Sequence, residues 1–127
     1  MSDVDPEVIG VIDFGDMVFS HLVNELAIAI AYGAMNLPDP LGAAIEIARG
    51  YASVFPLREE EIAVLYHMVA ARLAISVTCA ALNAREHPEN PYLQVSEQPA
   101  AELLEKWCAI HPDFAHYAFR EACGLEP

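Results

Sequence analysis

At 127 residues, with 55% apolar and 20% charged side chains, the chain can bury one core and is excluded from the disordered, polar class. A formal charge of −13 sets it against phosphate backbones and anionic lipid surfaces, so neither nucleic acid nor a membrane is an expected partner. Its three cysteines, Cys79, Cys108 and Cys123, are odd in number and form no CxxC pair, which reads as reduced thiols in a cytoplasmic protein.

Residues 1–7 are acidic, unlike the basic start of a secretory signal. Residues 8–14, Val-Ile-Gly-Val-Ile-Asp-Phe, are short, apolar and β-branched and read as a strand or β-arm, with Gly15 and Asp16 as the turn after it. A lone strand leaves its backbone groups unpaired, so this one calls for a partner, either a segment upstream or a second copy in a homodimer. From Leu22 the period becomes helical through Leu26, Ile30 and Tyr32, until Asn36-Leu37-Pro38 stops it. Asp39-Pro40 is a cap followed by a first-turn proline, and a second helix runs from there to Val54.

A long helix starts near Arg58-Glu59-Glu60-Glu61 and ends near Arg85, its acidic first turn suiting the helix dipole. Ile62, Leu65, Tyr66, Val69, Leu73, Ser76, Val77 and Ala80 form one wide stripe along it. Residues 62–82 match a membrane span in length, but they include His67 and Arg72, and an arginine at mid-membrane costs about 2.5–3.5 kcal/mol. A buried central helix is the reading adopted. Ser96 caps a fourth helix with Pro99 in its first turn, and Pro112 separates it from a fifth that stops at Gly124. The expected fold is mainly α: one N-terminal strand or arm, then about five helices, as one partial domain over residues 1–127.

The chemistry-bearing segment is Asp13-Phe14-Gly15-Asp16, two carboxylates around a tight turn. Magnesium takes carboxylate oxygens together with nucleotide phosphate oxygens, and in protein kinases the aspartate of a D-F-G turn serves as such a ligand. By spacing alone an aspartate-capped turn leaving a strand accounts for the same residues.

The wider sequence resembles a known family. Val11-Ile-Asp-Phe-Gly-Asp-Met17, followed by Asn24-Glu-Leu-Ala-Ile-Ala-Ile-Ala-Tyr32, is similar to the segment after the catalytic loop in aminoglycoside-phosphotransferase-like kinases, the hydroxylysine kinases among them. Asn90-Pro-Tyr-Leu93, Ser96-Glu-Gln-Pro99 and Ala115-His-Tyr-Ala-Phe-Arg-Glu-Ala-Cys-Gly-Leu125 extend the likeness over nearly the whole chain. The same kinase-like segment is found at the front of class III aminotransferase fusion proteins. The resemblance implies the helical C-terminal subdomain of a kinase-like fold. It implies Asp13 as a metal ligand, Asp16 as a second acidic position there, and Glu25 as a brace of the catalytic loop, though an acid in a first helical turn also has a purely structural use. Magnesium and ATP are then the cofactors of the intact parent, and a small hydroxyl- or amino-bearing metabolite its substrate.

The family's catalytic loop and nucleotide-binding lobe have no counterpart within these residues, and the six glycines form no phosphate loop. Phosphoryl transfer needs several parts placed together, so no residue here is assigned a catalytic role and no cofactor is expected to bind this chain by itself. The missing upstream half of the kinase is its expected partner.

His67 and Arg72 are candidate pocket residues; alternatively, Arg72 pairs with Glu25 or another acid and His67 bonds a backbone carbonyl. Tyr92, Trp107, Tyr117 and Phe119 read as core, and the Glu59–Glu61 run as a solvated helix start. Lys106, on a helix, is the only lysine and gives no credible pyridoxal phosphate site. Two functions compete: part of a small-molecule kinase, and a non-catalytic interaction or dimerisation module.

Overall fold

The computed structural model describes residues 8–90 and 97–125. The expectations for Tyr92 and for Ser96 as a cap lie outside them. Five helices follow a one-turn 3-10 segment at Phe14–Asp16: α1 Val23–Gly33, α2 Pro40–Val54, α3 Glu59–Glu86, α4 Glu97–Cys108 and α5 Pro112–Ala122. No strand forms among the described residues. Residues 8–13 are instead an exposed, unpaired arm. The physical reason lies in the arm itself, since a strand is made by a ladder of backbone bonds and nothing described here supplies the second side of one.

Helix boundaries follow their local chemistry. The Asp39 carboxylate accepts from the Gly42 amide at 2.9 Å, capping α2 with Pro40 in its first turn. A Cβ on Gly42 would collide with that carboxylate, so the cap and the glycine belong together. Asn36 takes a left-handed φ of 61° after α1, a conformation asparagine tolerates. Gly124 does the same after α5 at φ 76°, the expected stop. The start of α3 departs from expectation. Glu61 is buried, and its carboxylate accepts from the Arg58 amide at 2.9 Å and pairs with Arg58 Nε at 3.4 Å, closing a capping box. Glu59 reaches across to Arg120 and to His116 on α5. The acidic run is therefore structural and not merely solvated.

α3 is the central element, packed against α1, α4 and α5. The expected stripe is its buried face: Ile62, Leu65, Tyr66, Val69, Leu73 and Ala80 are buried, while Ser76 and Val77 are half-buried. Leu26 and Ile30 of α1, Ala44 and Ala48 of α2, Leu103 and Trp107 of α4, and Ala115 and Phe119 of α5 fill the same core. Small residues on α2 let it approach closely, as dense packing requires. By length and composition α3 could cross a membrane. Here it is the helix around which the others pack. Trp107 and Phe119 are core as expected, whereas Tyr117 stands exposed on the outer face of α5. All three cysteines are free, and burial pushes the Cys123 thiol up from its ordinary pKa, which disfavours the reactive thiolate.

Tyr66 and Trp107 lock α3 to α4. The Tyr66 hydroxyl donates towards the carbonyls of Trp107 (3.1 Å) and Ile110 (3.0 Å), and the indole Nε1 donates to the Tyr66 carbonyl at 3.1 Å. Burial, and secondly the Cys108 thiol, push the Tyr66 hydroxyl above its ordinary pKa of 10.0. A raised folded-state pKa favours folding below the unfolded value, and this contribution is lost as pH climbs through the raised one. Tyr66→Phe is therefore expected to cost about 0.5–1.5 kcal/mol at neutral pH, for the lost hydrogen bonding. It should also make the decline of stability above pH 10 shallower than in the parent chain. Urea unfolding at neutral and alkaline pH checks both.

Candidate functional site

Asp13, Asp16 and Glu25 lie in one stretch of chain, where the arm leads into α1. Asp13 precedes the Phe14–Asp16 turn in the left-handed region, at φ 67° and ψ 61°. That conformation disfavours most residues by about 1–2 kcal/mol and is tolerated by aspartate better than most. The turn closes with the Met17 amide donating to the Phe14 carbonyl at 3.2 Å. It exposes the Asp13 side chain. The side chain of Asp16 lies outside the described residues. Among those described, no group of three histidine, cysteine or acidic side chains gathers to hold a metal ion. One carboxylate offers at most two oxygens to a cation that wants six. Asp13 by itself can therefore supply no more than part of a magnesium coordination shell.

After the turn, Ser20 and Asn24 bond side chain to side chain, and α1 begins. Glu25 lies in its first turn with its side chain exposed. Asn24 and Glu25 face Arg72 of α3 across a cleft of about 240 Å³, whose apolar walls include Val18, Ile28, Met68 and Ile75. Arg72 is half-buried. Its Nη2 donates to the Tyr32 hydroxyl at 2.8 Å, and its guanidinium carbon stands 5.4 Å from the centre of the Tyr32 ring. Tyr32, forty residues away in sequence, thus holds the arginine that the sequence paired with an acid; Arg72 makes no ion pair with Glu25 among the described residues. Arg72 Nε and Asn24 Oδ1 are both shut from water with no protein partner.

His67 is not in this cleft. It sits exposed on α3, edge-on to the Tyr66 ring with centroids 5.2 Å apart. The structure therefore brings Glu25 and Arg72 together and leaves His67 elsewhere. Sequence reasoning missed Asn24 as part of the cleft and Tyr32 as the partner of Arg72. Their signal was present as spacing, since Asn24, Ile28 and Tyr32 recur at every fourth residue along α1.

No family model matches the chain, and no solved structure does. Four curated proteins match, each a hydroxylysine kinase. That of Danio rerio is 34% identical over 105 residues, 82% of this chain and 30% of the kinase. That of Xenopus laevis is 37% identical over 100 residues, 78% of this chain and 27% of the kinase. That of Mus musculus is 33% identical over 101 residues, 79% of this chain and 27% of the kinase. The chain, a helical one, is thus similar to one part of the hydroxylysine kinases and spans less than a third of their length.

Proposed function

We propose that this chain is the C-terminal helical part of a small-molecule kinase whose Asp13 helps hold the magnesium ion of ATP, with Asp16 as a second acidic position and Glu25 bracing the catalytic loop. The whole protein transfers a nucleotide phosphate to the hydroxyl of a small amino-bearing metabolite, in the cytoplasm. The observation that carries the reading is the left-handed Asp13 turn, with its carboxylate exposed, in a chain of which about four fifths is similar to hydroxylysine kinases. A residue held in a sparsely populated conformation is commonly held there for use. Catalytic loop and nucleotide lobe are supplied by the other half of the domain.

The test joins this chain to the portion of the Danio rerio kinase outside the matched segment and measures phosphate transfer from magnesium–ATP to 5-hydroxylysine. Transfer by the joined protein, and by neither piece alone, is expected. A joined protein that folds by circular dichroism yet transfers nothing would overturn the reading.

A second reading, a dimerisation module, is favoured by the arm. Val8, Ile9, Val11 and Ile12 are all exposed, as are Met17, Val18 and Phe19 beyond the turn. Apolar surface of this kind, beside unpaired backbone, recruits partners. In the kinase reading the missing half covers it. The isolated chain is then expected to self-associate, and Ile9→Lys with Ile12→Lys to return it to a monomer in sedimentation experiments. A monomeric parent chain would remove the dimer.

A further inference from the structure

The central helix α3 is apolar on its outward side as well as its inward one. Between Ile62 and Ala84 it carries a single charged residue, Arg72, in a chain with 19 acidic and 6 basic ones. Arg72 is turned aside to Tyr32. Val64, Ala71, Ala74, Ile75, Thr78 and Leu82 recur at helical spacing on one face, and all of them are exposed. The larger ones are far from covered: Val64 is 42%, Ile75 52% and Leu82 47% exposed. A helix that is apolar all round is normally enclosed on every side.

The same face ends in opposite charges. Glu60 stands one turn before Val64 and Arg85 one turn after Leu82, both exposed, about 37 Å apart along the helix. Neither makes an ion pair among the described residues. This pattern is its own complement. Consider a copy laid antiparallel, with the twofold axis between Arg72 and Leu73. Glu60 then meets Arg85 at both ends, Val64 lies near Leu82, and Ala71 meets Ala74 at the crossing, where small side chains let two helices approach. A parallel copy would set like charges together at each end. The exposed apolar arm continues the surface, since Val18 beyond the Asp13 turn shares a cleft with Ala71 and Ile75. We propose that α3 is the docking surface for a second copy of this chain, the two α3 helices packed antiparallel with Glu60 of each paired to Arg85 of the other. The inference rests on the dimer reading above and gives that dimer its geometry. A membrane is the poorer occupant, because a formal charge of −13 opposes anionic lipid. Contact through one helix pair is at the small end for a specific interface, so the dimer is expected in the micromolar range.

The test is sedimentation of the 127-residue chain and its charge variants over about 1–300 µM, which brackets a micromolar constant. Glu60→Arg and Arg85→Glu each place like charges at both ends of the contact, and each should weaken the dimer about tenfold or more. Both changes in one chain restore opposite pairs, and association should return to within about threefold of the parent. Mixing the two single variants should restore it as well, as a heterodimer. Far-ultraviolet circular dichroism should match the parent throughout, because both positions are exposed. Recovery separates a contact from misfolding: both swaps oppose the helix dipole, so the double variant gains nothing from a firmer helix. Single variants that dimerise as the parent does would sink the proposal, as would a folded double variant and a mixture that both stay monomeric. In either case the arm-held dimer survives if Ile9→Lys with Ile12→Lys still dissolves it. A parent chain that is monomeric throughout removes both, and leaves the outer face of α3 to the missing half of the kinase.

Discussion

Trp107→Ala is expected to lower the folding free energy by about 4–8 kcal/mol. The indole is fully buried, stacks on the Tyr66 ring with centroids 5.6 Å apart, and donates to the Tyr66 carbonyl. Truncating a buried tryptophan typically costs about 3–5 kcal/mol, from lost transfer energy and from the cavity left behind. The carbonyl of Tyr66 loses its partner as well, adding about 1–3 kcal/mol if it stays buried. Domains of this size have about 5–15 kcal/mol in hand, so the sum takes most of the smaller value. Trp107→Phe keeps the stack and loses the donor, and should fall between the two. Urea midpoints of the three chains, followed by far-ultraviolet circular dichroism, give the measurement. Equal midpoints for Trp107→Ala and the parent chain would show that α4 contributes little to the core.

The second large effect concerns Asp13. In the joined kinase, Asp13→Ala is expected to lower the rate constant for phosphate transfer by about 100-fold or more. A bound divalent ion supplies several kcal/mol of transition-state stabilisation, and each 1.36 kcal/mol is a factor of ten. Asp13→Asn keeps the size of the side chain and its tolerance of the left-handed conformation but loses the charge, so it separates metal binding from backbone geometry. Both variants should be slow if the carboxylate holds the ion. If only Asp13→Ala is slow, the turn matters and the charge does not. An Asp13→Ala enzyme at full rate would remove Asp13 from the metal site. Far-ultraviolet circular dichroism should be unchanged in both variants, because Asp13 is exposed and lies outside the core.

What could be read in advance depended on how local the controlling interaction is. Asp39 with Pro40, the acidic turn before Ile62, and Gly124 each fix a helix end through contacts a few residues away, and α2, α3 and α5 begin or end within a residue or two of those signals. The stripe on α3 was legible because a helical period depends only on spacing. The arm was legible as apolar and extended but not as a strand, since pairing is a property of two segments. The role of Glu61 was hidden because its partner is an arginine at the cap position, where serine, threonine, aspartate or asparagine is the usual signal. Arg72 was marked as unusual, yet its partner Tyr32 could come only from how α1 crosses α3. His67 was singled out for being polar in an apolar run; the neighbouring Tyr66 faces inward and His67 outward, as the roughly hundred-degree step between helical neighbours dictates. The D-F-G turn itself was visible as letters, and the left-handed backbone that gives Asp13 its exposure was not.

The junction between α3 and α4 also carries a built-in optical probe. The chain has one tryptophan, and it stands at that junction, enclosed and stacked on a tyrosine ring. Its fluorescence therefore comes from a single place in the molecule and starts from an apolar setting with short-wavelength emission. Light absorbed by Tyr66 is handed to the indole across 5.6 Å, so tyrosine emission from that residue is quenched in the folded protein. When α4 parts from α3, the emission moves to the red and the Tyr66 signal returns together. Separation of the two helices can thus be timed by light alone, without adding a label.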